Sequence, residues 1–411
     1  MQNISELSLL WNSLALFRGL RATPLGERLG AFLPLRAVED PAAFAAAAAA
    51  VAAEIYALGT GDFGVALRKC VLLDDNLMVR QPALFATDAL PAAELRRELA
   101  ALARLSGFTC EAPAGALPPG ALPLWEATPQ DFAALYAAFL RELPRKGFGM
   151  FADYGMFTWE SEKLAPVRFP DPQRLGGLYG YAREQQPVLA NIQGLLAGQG
   201  AAHVLLYGDA GTGKSALIKA MANEYFAQGL RLAELRRHQL RELPALLEQL
   251  GALPLKWILL LDDLSFTPGE EGFSTLKAAL EGGAGRGAGN CVIHATSNRR
   301  HLVREGAGER QGDEIHLGDT LQEQISLSAR FGLSVCFRRP EKEEYLALVR
   351  AVAAEYGVTG QTKELCALAE REALRRGGRT PRLARQTVEI YARAQENSTA
   401  QEKRSTQQQH I

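Results

Sequence analysis

Residues 203–215 read HVLLYGDAGTGKS and run directly into ALIKAMANEYF at 216–226. A short apolar run, a glycine-rich turn and a helical pattern follow one another here, which is the setting a GxxxxGK[ST] phosphate loop requires. Gly208, Gly211 and Gly213 let the backbone bend until its amides and the helix N-terminus can face an anion, with Asp209, Ala210 and Thr212 filling the remaining loop positions. Lys214 can reach the β- and γ-phosphates of a bound nucleotide, and Ser215 can give one oxygen to Mg²⁺. ATP and Mg²⁺ are therefore the expected ligands.

Downstream, WILLLDD (257–263) is a buried-strand pattern ending in two carboxylates. A parallel α/β sheet gathers its ligands at the carboxyl edge of its strands, so these acids are expected beside Ser215. Asp262 is predicted to hold Mg²⁺, directly or through water, and Asp263 to orient the attacking water of an in-line phosphoryl transfer. The next apolar run ends in ATSN (295–298), from which the Asn298 amide can project toward the γ-phosphate, although a turn-forming Asn explains the same tetrapeptide.

Further out, HVLLY (203–207), RLAEL (231–235), KWILLL (256–261), NCVIHA (290–295) and LSVCF (333–337) alternate with helical patterns. Five strands separated by helices predict a five-stranded parallel sheet covered on both faces, over residues 174–339. After Pro340 the pattern is purely helical, at about 341–356, 361–376 and 381–395, and reads as a helical lid over 340–395. The polar stretch 396–411 is expected to be a disordered tail.

Ahead of this, residues 1–165 are rich in Ala and Leu, with helical stretches at 42–58, 91–105 and 129–143, and predict a mostly helical N-terminal domain. A short strand is possible within 67–78; its LLDD imitates an acidic nucleotide-site strand, but no glycine-rich loop precedes it. Pro166, Pro170 and Pro172 favour an extended backbone and suggest a linker, with the next domain beginning near Arg174.

Composition narrows the class. The chain has 411 residues, too many for one ordinary core, and 47% hydrophobic with 22% charged residues excludes wholesale disorder. A net charge of -1 supplies no global field toward nucleic acid or anionic lipid. Five scattered cysteines without a CxxC pair suit a reducing cytoplasm, and six dispersed histidines give no metal-ligand spacing. The first twenty residues have no basic residue before their apolar stretch, and the apolar run 42–53 is short of the ~20 residues needed to span a bilayer. A soluble, cytoplasmic protein without membrane insertion is expected.

With phosphate loop, acidic strand and ATSNRR in this order, the chain resembles an AAA+ ATPase, and most of all the bacterial family of predicted AAA+ ATPases known as domain of unknown function 815. The resemblance is carried by LYGDAGTGKSALIKA, ILLLDDLSF, LKAALEGG, ATSNRRHLVRE, DTLQEQISLSARFGLSVCF and GRTPRLARQ, over about 174–395. It implies further roles. SLSARFGL (326–333) is similar to the arginine-finger segment of replication-initiator AAA+ proteins, which would carry Arg330 to a neighbouring subunit's γ-phosphate; a surface arginine before the fifth strand is the plain alternative. TPRLARQ (380–386) resembles the lid helix bearing the second sensor, implying Arg382 in that role with Arg379 as the alternative. Tyr179 and Tyr181 lie where the family lines its adenine pocket, or form a core-packing pair.

Two features depart from the AAA+ motor pattern. The acidic strand ends Asp262-Asp263 where most AAA+ motors have Asp-Glu, so hydrolysis can be slow and ATP can act as a switch. The stretch RRHQLRELPALLEQLGALPL offers no aromatic-hydrophobic-Gly pore loop, which disfavours a polypeptide-threading motor. The leading expectation is an Mg²⁺-dependent ATPase that forms a homo-oligomer through its AAA+ modules and remodels or loads an unknown protein or nucleic-acid client. A nucleotide-gated DNA-binding or loader protein with incidental hydrolysis, and an ATP-binding scaffold, are the alternatives. Seven arginines against three glutamates in 370–393 give a local charge of +4 that suits either a nucleic-acid contact or a solvated helix face. ATSNRRHLVR adds Arg299, Arg300, His301 and Arg304.

Overall fold

The computed structural model describes residues 4–81, 90–266, 271–281, 289–298, 327–358 and 362–408. The chain divides into two compact units, Met1–Asp153 with Ala252–Leu255, and Tyr154–Gly251 with Lys256–Ile411.

The first unit is helical. Its longest helices are Pro41–Ala57, Leu90–Ser106 and Phe132–Lys146. Asp40 caps the alanine-rich helix by accepting the Ala43 amide at 2.9 Å, with Pro41 at the first helical position, where a missing N–H is harmless. Phe17, Phe32, Phe44, Phe63, Phe108 and Tyr136 form the centre of the core. Within it the Glu98 carboxylate is fully buried and accepts the amides of Ala15, Leu16 and Phe17 at 2.7–3.0 Å, so the charge is met by backbone donors. The strand considered for 67–78 is absent. The helix Phe63–Leu73 and the short helix Leu77–Arg80 take its place, because Asp62 and Asn76 each cap a helix start.

The second unit is built on a mixed seven-stranded sheet of order β2-β1-β4-β5-β6-β3-β7. The strands are β1 Met156–Glu160, β2 Lys163–Pro166, β3 Val204–Gly208, β4 Leu230–Glu234, β5 Lys256–Leu261, β6 Cys291–Ser297 and β7 Leu333–Phe337. The five expected strands, β3 to β7, are present and mutually parallel, but the expected sheet was two strands short. β1 pairs parallel to β4, and β2 returns antiparallel to β1 on the edge. Their hairpin turns on Ser161 and Glu162, both with positive φ (48° and 61°), which are not the Asn-Gly or Asp-Gly residues that usually advertise such a turn.

The hairpin moves the division of the chain from 165 to 153. The proline-rich stretch behind it is not a free linker. Asn223, on the helix Lys214–Glu224, donates through Nδ2 to the carbonyls of Asp171 and Gln173, each at 2.8 Å.

Strand order decides where chemistry can occur. β6 lies between β5 and β3, so the loop after β3 and the chain leaving β5 and β6 meet at one sheet edge. Beyond β7, the helices Lys342–Glu355, Thr362–Arg375 and Pro381–Gln408 pack around Tyr345, Val349, Leu365, Ala369, Ala384 and Val388. The expected disordered tail is corrected: its residues to Gln408 continue the last helix. They include Ala, Glu, Lys and Gln and contain neither Gly nor Pro, so nothing in the sequence breaks the helix.

Candidate functional site

The loop after β3 bends where only glycine fits. Gly208 has φ 125°, and a Cβ there would lie 2.2 Å from the Phe337 carbonyl oxygen on β7. Gly213, at φ 95°, ends the loop as the N-cap of the helix that starts at Lys214, so the first amides of that helix open toward the loop. Thr212 ties the bend by donating from Oγ1 to the Asp209 carbonyl at 2.8 Å.

Lys214 is 6% exposed, and its Nζ donates to the carbonyls of Gly208 at 3.0 Å and Asp209 at 2.7 Å, with Asn298 Oδ1 at 3.4 Å. Burial lowers the lysine pKa, while Asp209, Asp262 and Asp263 oppose the shift. Its ammonium is held over the loop by dipoles alone in one direction and faces the acids in the other.

The acids sit where the strand order puts them. Ser215 Oγ donates to Asp262 Oδ1 at 2.5 Å, and Asn298 Nδ2 donates to Asp263 Oδ1 at 2.8 Å. Asp263 adopts a left-handed backbone, φ 52°, which turns its carboxylate away from the line of β5 and toward Asn298. Lys214, Ser215, Asp262, Asp263 and Asn298 therefore form one set, Ser215 bonded to Asp262 and Lys214 linked through Asn298 to Asp263, with the two groups joined along the chain at Asp262-Asp263.

A cleft of about 540 Å³ contains that set, a size suited to a small-molecule ligand. Of the sequence-predicted loop residues, Ala210 through Ser215 line it. Gly208 and Asp209 do not; Asp209 anchors the loop, its amide donating to the Phe337 carbonyl at 3.0 Å and its carboxylate accepting the Arg339 amide at 2.9 Å. Tyr179 and Tyr181 both line the cleft. Tyr181 stacks at 5.3 Å from Phe337 and donates its hydroxyl to the Arg338 carbonyl at 2.7 Å, and burial raises its pKa. Apolar Leu348 and Val352 of the helix Lys342–Glu355 complete the wall near them.

The two candidate arginines, Arg379 and Arg382, separate. Arg382 lines the cleft at the start of the last helix, whose N-cap Thr380 takes the Leu383 amide at 3.2 Å. Arg379 forms a two-pronged pair with Glu370 at 3.1 and 2.5 Å. Arg375 and Arg376 share Glu372, and Arg385 pairs with Glu355 while donating to the Gly177 carbonyl. Much of the local positive charge is thus neutralised within the C-terminal helices. Arg330 is not among the cleft-lining residues; its Nε donates to Glu281 at 2.5 Å. Arg299, Arg300, His301 and Arg304 lie outside the described residues. Among the described residues, no group of three or more His, Cys, Asp or Glu could hold a metal, so any ion here would rest on Ser215, Asp262 and phosphate oxygens.

Sequence reasoning missed Thr296, Arg339 and Arg385. Thr296 touches both acids, Arg385 lines the cleft, and Arg339 pairs with Asp209 while reaching the Gly377 carbonyl. ATSN was a signal for Thr296 as much as for Asn298, but only the pairing of strand ends tells them apart.

Sheet order, the glycine-rich loop after β3 and the helices beyond β7 define an α/β fold with a mixed sheet flanked by helices. The chain belongs to the family described as "Protein of unknown function (DUF815)", whose model matches residues 152–395. Solved structures similar to it include the RuvB Holliday junction branch migration motor of Thermotoga maritima, at 15% identity and a TM-score of 0.36, covering 53% of this chain and 63% of that one. A point variant of the same protein matches at 16% identity and a TM-score of 0.37, again over 53% and 63%. The chain thus spans under two thirds of the length of these structures. No curated protein matches the chain. No helix among the described residues is long and apolar enough to cross a membrane.

Proposed function

We propose that the protein is an Mg²⁺-dependent ATPase that assembles through its nucleotide-binding units and couples ATP state to remodelling or loading of a client. The observation that carries this reading is the convergence of Lys214, Ser215, Asp262, Asp263 and Asn298 in one cleft at the carboxyl edge of the sheet. Loop amides and the helix N-terminus would take the phosphates, and Lys214 would exchange its carbonyl partners for the β- and γ-phosphates. Ser215 and Asp262 would hold Mg²⁺, which when bound neutralises charge on the transferred phosphoryl group. Asp263 would orient the attacking water, with Asn298 fixing the carboxylate that does so. Arg382 would reach the nucleotide from the lid, and Tyr179 and Tyr181 would border the base. Arg330 would serve a neighbouring subunit, and the helical unit would engage the client. Ion pairing within the lid favours this reading over one in which those arginines bind DNA.

The test is ATP binding by calorimetry with wild type and Lys214→Ala. The variant should lose about tenfold or more in affinity, the equivalent of the ~1.5–3 kcal/mol that a hydrogen bond to a charged group is worth. Equal affinity in a folded variant would remove the phosphate-loop assignment.

A further inference from the structure

Thr296 is the last residue but one of β6, stands two residues before Asn298 and is 2% exposed. Its hydroxyl faces the point where β5 runs out and contacts both acidic residues. It donates to Asp262 Oδ1 at 2.5 Å and accepts the Asp263 amide at 2.9 Å. Donating its single proton to one acid and using an oxygen lone pair for the backbone of the other holds the hydroxyl rotor in place.

These bonds act on two different features. Asp262 Oδ1 also accepts the Ser215 hydroxyl at 2.5 Å, so the carboxylate is gripped from β6 and from the phosphate-loop helix together. Asp263 is a non-glycine residue at φ 52°, a conformation that persists only when surrounding bonds over-determine it. Thr296 supplies two of those bonds. Its hydroxyl takes the Asp263 amide, and its carbonyl takes the Leu264 amide at 2.8 Å; next to it, Ser297 Oγ donates to the Leu264 carbonyl at 2.8 Å. The turn that presents the Asp263 carboxylate to Asn298 is therefore fastened to β6 at Thr296.

We propose that Thr296 is the positioning residue of the two-acid site, its hydroxyl setting Asp262 for the metal and holding Asp263 in the left-handed turn that faces the cleft. The role rests on the ATPase reading above. It differs from simple packing in a way that can be measured, because valine has the shape of threonine without the hydroxyl and serine has the hydroxyl without the methyl.

The experiment uses the full chain as wild type, Thr296→Val and Thr296→Ser. Backbone amide exchange at Asp263 and Leu264 is read in ligand-free protein, ATP binding is read without Mg²⁺, and ATP turnover is titrated with Mg²⁺. In Thr296→Val the Asp263 amide should exchange faster. That variant should also need more Mg²⁺ and lose kcat, by about 10- to 100-fold in metal affinity or activity, as removal of a group that orients metal ligands typically does. Metal-free ATP affinity should be unchanged. Thr296→Ser should recover both protection and turnover, and Thr296→Ala replaces the valine variant if that one does not fold. Wild-type protection and Mg²⁺ dependence in the hydroxyl-free variant, or a serine variant as impaired as the valine one, overturns the proposal and leaves the ATPase reading intact. A folded wild type that binds no ATP overturns both.

Discussion

Asp263 meets two demands at once, a backbone conformation that few side chains accept and a carboxylate aimed at Asn298. Asparagine tolerates the left-handed region almost as well as any non-glycine residue, so Asp263→Asn removes the charge and leaves the turn in place. Nucleotide binding should therefore survive. If the carboxylate orients and deprotonates water, turnover should fall by about 10²-fold or more. Phosphate release measured beside ATP affinity separates the two effects, and near-wild-type turnover would remove Asp263 from the mechanism. The pair Asp262-Asp263 was legible as residue types, because two acids after a buried strand have few structural uses. The assignment of Thr296 was not, since its hydroxyl gains meaning only from the register that lays β6 alongside the end of β5. Arg379 and Arg382 could not be distinguished in the sequence for a similar reason: Glu370, the partner that occupies Arg379, lies one helix earlier.

The strands β3 to β7 were readable because parallel strands covered on both faces are rich in apolar residues, and five short apolar-rich runs alternate with helical patterns. β1 was hidden by the polar Thr158 and Glu160 within its short pattern MFTWE, β2 by its four residues, and the hairpin by a turn made of Ser161 and Glu162. Within β6, His294 lies between Val204 of β3 and Leu260 of β5, fully buried, with neither ring nitrogen hydrogen-bonded. Burial, assisted by the nearby His203, lowers its pKa to about 3 from an ordinary 6.5. The unfolded chain then binds the proton that the fold refuses, so stability is complete above the unfolded pKa and is lost as pH falls from 6.5 toward 3. Between about pH 7.5 and 5.5, where carboxylates still contribute little, His294 alone should cost roughly 1.4 kcal/mol. Urea unfolding at the two pH values measures it. His294→Leu, which removes an imidazole that satisfies no partner, should flatten this dependence; an undiminished slope would show that other groups carry it.

At the scale of the whole chain, the sheet rather than the proline cluster bounds the second compact unit. A fragment beginning at 174 lacks β1 and β2 and leaves β4 as a bare edge, including the partners of Glu242 and Gln239 on Trp159. A fragment beginning at 154 keeps them and should melt at the higher temperature; equal melting temperatures would place the boundary back in the prolines. The larger unit still does not hold a complete site, if Arg330 works as the family resemblance implies. Its guanidinium is paired with Glu281 and does not line its own cleft, so any action on phosphate must be on another chain's ATP. An arginine supplied in trans stabilises charge developing on the transferred phosphoryl group and can be worth ~10³-fold or more in rate. Specific activity should then rise with protein concentration. Arg330→Ala should lose turnover while keeping ATP affinity, because binding uses the chain's own loop. Mixing Arg330→Ala with Lys214→Ala should restore part of the activity, since some interfaces then join an intact phosphate loop to an intact arginine. Turnover that does not depend on concentration, and is the same in Arg330→Ala, would reduce Arg330 to the Glu281 ion pair and make each chain a self-sufficient enzyme.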